Sequence, residues 1–123
     1  MFQVKSGVVL VVATITLGAC ASGPPDTEVS AALSGASESI NHARTDNALS
    51  AAPETVNEAQ TLLSQGEKAQ NSGDKAQAIR LANEAKVDGD LADATAQGAK
   101  AHQAAQAVNS DIGALQQTTA PNR

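Results

Sequence analysis

Alanine recurring at helical spacing, with few larger apolar residues between, constrains this chain more than any other feature. From residue 20 onward the 104 residues include 24 alanines but only 14 leucines, isoleucines and valines. No aromatic residue occurs in that stretch; the single one, Phe2, stands near the N-terminus. Alanine forms helix at no cost in side-chain entropy, so long helices are favoured. It also buries little area, which leaves the chain too thin to enclose a large pocket. An all-α fold of slender helices is the expectation.

Three stripes carry the periodicity. In the first, Val29, Leu33, Ala36, Ile40 and Ala43 recur every three or four residues, with Asp26 and Thr27 placed to cap the start and Glu28 in the first turn. Pro53 suits the first position of a new helix, and Val56, Ala59, Leu63 and Gly66 form its stripe. Asn71-Ser72-Gly73-Asp74 reads as a turn, Gly73 closing one helix and Asp74 with Gln77 boxing the next. The third stripe is the most regular: Val87, Leu91, Ala94, Gly98, Ala101, Ala105, Val108, Ile112 and Leu115.

Residues 26–72 and 74–118 have nearly equal lengths, with one sharp turn between them. The expected domain, 26–118, is therefore a long antiparallel alanine-rich helical hairpin, kinked near Pro53, with residues 119–123 a disordered tail. Its coiled-coil-like seam sets Leu63 against Ala85, Val56 against Leu91, Ile40 against Val108, and Leu33 against Leu115, with Ile112 in the same row. A three-helix bundle is the alternative, reached if residues 51–53 make a full reversal. The hairpin is preferred because a two-residue connection without glycine reverses a chain poorly. Leu62, Ala69, Leu81 and Val87 lie off the main stripe and are expected to form a narrower second one, through which so thin a domain self-associates or meets a partner.

The first twenty residues follow a different order. Lys5 precedes an uncharged run over residues 7–17, and Gly18, Ala19 and Cys20 follow. This is the order of an export signal, and the run is too short to span a bilayer. Leu17-Gly18-Ala19-Cys20 resembles the lipobox of bacterial lipoproteins. The resemblance implies cleavage between Ala19 and Cys20, removing a signal peptide over 1–19. It also implies diacylglycerol on the Cys20 thiol, with an acyl chain on the new amino group. Each buried CH₂ contributes about 0.8 kcal/mol, and one acyl chain binds only marginally, so several are needed for a stable anchor. Ala21, where lipoproteins of the inner membrane carry Asp, implies the periplasmic side of the outer membrane. Residues 20–25 supply the lipidated cysteine and a flexible tether.

Without residues 1–19 the chain carries 7 Lys and Arg against 13 Asp and Glu, a net charge of −6. That balance argues against a nucleic-acid partner, and base stacking has no aromatic platform.

A further resemblance rests on Ala52-Pro53, Ala59-Gln60-x-Leu62-Leu63 and the stretch from Asn71-Ser72-Gly73-Asp74 through Ala78, Leu81-Ala82 and Ala85 to Asp88, continued by Leu91-Ala92-x-Ala94-x-Ala96. The pattern resembles the bacterial lipoprotein family built on the domain of unknown function numbered 4398. It implies location and fold; no activity comes with it. Gly89 departs from the pattern, since glycine inside a helix costs about 0.8–1 kcal/mol relative to alanine.

No catalytic or cofactor-binding constellation emerges. His42 and His102 are two imidazoles without a third ligand, and surface positions, His102 near Asp46, account for them. Glu84, Asp88, Asp90 and Asp93 lack the loop spacing of a calcium site and read as a solvated acidic face. An enzyme, a metal site and a cofactor are not expected. The chain ends Pro121-Asn122-Arg123, unlike the C-terminal lysine by which the small murein-linked lipoprotein joins the wall, so no covalent peptidoglycan link is expected. The expected function is a non-catalytic structural or adaptor lipoprotein of the envelope. Its partners are the membrane, through lipid on Cys20, and a second copy or another envelope protein. The alternative is a ligand-binding or holdase-like protein with an alanine-lined groove.

Overall fold

The computed structural model describes residues 23–119. The expected signal peptide, the cleavage site at Ala19 and Cys20, and residues 120–123 lie outside the described residues. The order is α1 Asp26–Thr45, α2 Ala48–Ala51, α3 Pro53–Asn71 and α4 Lys75–Thr119. The fold is all-α. Thr119, the first residue of the expected tail, still belongs to α4, a one-residue difference of the kind helix ends commonly show.

Local chemistry sets each boundary. Extended Pro25 precedes α1, and its carbonyl accepts from Glu28 N at 3.0 Å and Val29 N at 3.3 Å. No side chain caps this end, so Asp26 and Thr27 do not take the expected role; Asp26 and Glu28 instead sit in the first turn, beside the positive end of the helix dipole. Between α3 and α4 the expected turn is present. Gly73 adopts φ +85, Asp74 N donates to Ala69 O at 2.9 Å, and Gly73 N donates to Gln70 O at 3.0 Å. That pair closes α3, and Asp74 Oδ1 then accepts from Gln77 N at 3.0 Å to start α4.

The hairpin expectation fails between α1 and α3. Asn47 takes the left-handed conformation, φ 68 and ψ 29, and stops α1. Ser50 N then donates to the Asn47 carbonyl, α2 completes one turn, and Ala52 passes the chain to Pro53 at the head of α3. The chain therefore reverses over residues 46–52. Asparagine supplies the positive φ that glycine would otherwise supply, because its short polar side chain tolerates that region.

The architecture is the three-helix bundle, running up, down and up. Lys75 Nζ lies 2.9 Å from Asp26 Oδ1, which puts the starts of α1 and α4 side by side. At that end Val29, Ala69, Ala78 and Leu81 pack together with Leu33, Leu62 and Ile79. In the middle Ala36, Ala82 and Ala85 meet Leu33, Leu62 and Leu63. At the far end Ala43, Ala48, Val56, Ala92 and Ala96 close the core. Position along α1 thus rises with position along α4, while α3 runs against both.

The seam is correspondingly redistributed. Leu33, Ile40, Val56 and Leu63 face the interior, Leu63 beside Ala85 and Val56 beside Ala92. Leu91, Val108, Ile112 and Leu115 do not; they are 56%, 57%, 47% and 64% exposed. Leu62, Ala69 and Leu81, expected on a separate outer stripe, are instead part of the core, and only Val87 of that group faces out.

The reason lies in α4, which carries two apolar rows. Ala78, Ala82, Ala85, Gly89, Ala92 and Ala96 are buried. Val87, Leu91, Ala94, Gly98, Ala101 and Ala105 follow them one for one, two and a half turns further along and hence on the opposite face. The bundle buries the row of small residues because three helices approach closely only across alanine and glycine. At Gly89 a Cβ would stand 2.9 Å from Ser39 Cβ and 3.0 Å from Ile40 N, so α1 rests nearly on the α4 backbone. That contact explains the helix-interior glycine which departs from the family pattern.

Candidate functional site

Two features of this bundle bear on function: the end at which the chain enters it, and the length of α4. The described chain enters through residues 23–25, directly into α1, at the end where Asp26 meets Lys75. Cys20 itself, the expected lipidation site, lies outside the described residues. No helix among the described residues is long and apolar enough to cross a membrane.

Helix α4 has 45 residues, about 67 Å at 1.5 Å per residue. Helices α1 and α3, of 20 and 19 residues, cover it only as far as Lys100. Beyond that point α4 continues alone for about 28 Å, and every residue from 101 to 119 is exposed except half-buried Gly113. The two faces of this overhang differ. The continuation of the bundle-facing row reads Gln103, Gln106, Ser110, Gly113 and Gln117. The opposite face stays apolar through Val108, Ile112 and Leu115.

A polar cluster marks the end of the covered segment. Asp46, just after α1, accepts from Lys100 Nζ at 2.9 Å, and Gln97 Nε2 lies 3.4 Å from its other oxygen. The Lys100 ammonium holds the Asp46 carboxyl below its ordinary value. The partner of Asp46 is thus Lys100, not His102. Gln97 also donates to Asp93 Oδ2 at 2.8 Å, while Asp93 Oδ1 is buried without a partner.

The acidic residues expected on a solvated face divide in the same way. Asp90 accepts from Lys86 Nζ at 2.6 Å and from Ser39 Oγ at 2.5 Å. The Lys86 contact, followed by the Ser39 hydroxyl, holds its carboxyl below the usual carboxylate value. Asp90 therefore links α1 to α4 beside the Gly89 contact. Glu84 is exposed and Asp88 half-buried.

His42 and His102 are both exposed, His42 on α1 facing the Asp90 region and His102 on the overhang. Among the described residues no group of three or more His, Cys, Asp or Glu side chains gathers. The surface depressions among the described residues are open; one runs along α1 past Ser34, Ser37, Glu38, Asn41, His42 and Thr45. Helices α1 and α3 cover the small-residue row from Ala78 to Ala96.

Sequence reading missed Asn47 and Lys100, and paired Asp46 with His102 instead of Lys100. The available signal was Thr45-Asp46-Asn47, a cluster of turn-forming residues well before Pro53. No curated protein and no solved structure shows detectable similarity to the chain. A family model does match, over residues 31–108, which spans most of α1, the reversal, all of α3 and three quarters of α4. The chain belongs to the family defined by this domain of unknown function, DUF4398.

Proposed function

We propose that this chain is a lipoprotein of the bacterial envelope, held by lipid on Cys20 at the periplasmic face of the outer membrane, with a non-catalytic structural or adaptor role. The observation that carries the reading is the order of the first twenty residues: Lys5, the apolar run over 7–17, then Leu17-Gly18-Ala19-Cys20. A membrane anchor at Cys20 would sit six residues before α1 and at the end from which α4 also starts. The overhang of α4 would then project away from the bilayer and present its apolar face to the periplasm. A rod with a short tether at one end and an uncovered helix at the other fits an adaptor. Its open depressions would bury little of a small ligand.

Metabolic labelling tests the anchor. Labelled palmitate is expected to enter the wild-type chain and to be absent from Cys20→Ala, with fractionation placing the wild type in outer membranes. Equal labelling of both chains would end the lipoprotein reading. Labelled protein in the inner membrane would overturn the outer-membrane assignment.

A further inference from the structure

Among the described residues six large hydrophobic residues are exposed, and five of them, Val87, Leu91, Val108, Ile112 and Leu115, lie on one face of α4. Ala94, Gly98, Ala101 and Ala105 fill the positions between, so the row runs unbroken across the bundle and along the overhang. It spans about 42 Å from Val87 to Leu115. Its alternating spacing of three and four residues is that of a coiled-coil seam, with Leu91, Gly98, Ala105 and Ile112 at one core position and Val87, Ala94, Ala101, Val108 and Leu115 at the other.

We propose that this face is the interface for a second copy of the chain, the two α4 helices pairing in parallel and in register. Two observations support that occupant. Two helices about 10 Å across, paired over about 42 Å, cover on the order of 1,000 Å² in total, about the least that a specific protein interface buries. The edges of the row are also compatible with themselves. In parallel register the flanking residues face each other as Asp90 with Thr95, Gln97 with His102, Ala104 with Asn109, and Asp111 with Gln116. No pair brings like charges together, although the whole chain carries a net charge of −5. The small central residues Ala94, Gly98, Ala101 and Ala105 let the helices approach closely. The bundle is no obstacle, since α1 and α3 occupy the opposite side of α4. The proposal does not rest on the lipid anchor.

Sedimentation of the chain from Ala21 to Arg123, which contains the whole bundle, tests it. The wild type is expected to sediment as a dimer at tens of micromolar. Val108→Asp with Ile112→Asp, two changes at exposed positions that leave the bundle core untouched, is expected to weaken association at least about a hundredfold by burying charges without partners. Oxidation should link Ile112→Cys chains to each other but not Gln106→Cys chains, whose cysteine is on the far face. A wild type that stays monomeric at 100 micromolar overturns the proposal and leaves the face to a different protein or to lipid. A dimer indifferent to the aspartates overturns it as well, by placing the interface elsewhere. Linking through Ala105→Cys and not through Ile112→Cys would overturn the parallel register in favour of an antiparallel pair.

Discussion

Replacing Gly89 by alanine sets two opposing effects against each other, and the structure decides which wins. A glycine-to-alanine change inside a helix stabilises by about 1 kcal/mol, through propensity and reduced freedom of the unfolded chain. At Gly89 the new methyl would meet Ser39 Cβ at 2.9 Å, Ile40 N at 3.0 Å and Ser39 C at 3.0 Å. Two of those atoms are backbone, so α1 has to move as a body. Overpacking of a tight contact costs about 1–3 kcal/mol, and a rigid neighbour puts this case in the upper half. The net expectation is a loss of about 1–2 kcal/mol, or roughly 5–10 °C in melting temperature for a domain of this size. Gly35, on α1, is the internal control, because a Cβ there meets only Lys86 Cδ at 4.0 Å. Gly35→Ala is expected to stabilise by about 0.5–1 kcal/mol. Urea and thermal unfolding followed by circular dichroism measure both. If Gly89→Ala stabilised as much as Gly35→Ala, α1 would not lie on α4 at Ser39, and the close-packed bundle would be refuted.

Other substitutions probe the reversal, the core and the ion pairs. Asn47→Gly should be neutral or slightly stabilising and Asn47→Ala destabilising by about 1 kcal/mol, since a residue at φ 68 pays for its Cβ; equal unfolding midpoints would contradict this. Val56, fully buried among alanines, should cost about 2 kcal/mol on truncation to alanine, whereas Leu49→Ala, 48% exposed, should stay within about 0.5 kcal/mol. Asp90, its carboxyl pKa held below the ordinary carboxylate value by Lys86 and Ser39, contributes stability that is present above that ordinary value and lost as pH falls through the lower folded value. The loss below about pH 4 should be reduced in Asp90→Asn and weakened by salt, as both partners are partly exposed.

Much of the helical layout could be read from residues that act locally. Pro53 and Gly73 fix the beginning of α3 and its end through backbone conformations that few other residues adopt as easily, and the structure uses both in those roles. The direction of α1 was not legible in the same way. It depends on Asn47, whose left-handed conformation is tolerated by asparagine but not required by it. The choice of buried face on α4 was misleading for a different reason. Period alone does not distinguish two apolar rows on opposite sides of one helix, and the row with the larger residues, Leu91 through Leu115, resembles a core. Packing three helices around alanine rewards close backbone approach over side-chain size, so Ala82, Ala85, Gly89 and Ala92 are buried instead. The same inversion leaves Val87, Leu91, Val108, Ile112 and Leu115 outside, where they define the candidate interface.

The direction of α1 along α4 is the claim on which the anchor geometry and the free face both depend. Spin labels at Glu28→Cys and Gln117→Cys, in a Cys20→Ala chain diluted with unlabelled protein, report that direction as one distance within a single molecule. Glu28 stands near the start of α4 and Gln117 near its end, so the bundle predicts a separation of about 60 Å along the helix. A distribution centred near 15 Å, the value for a long hairpin that brings the two chain ends together, would contradict it.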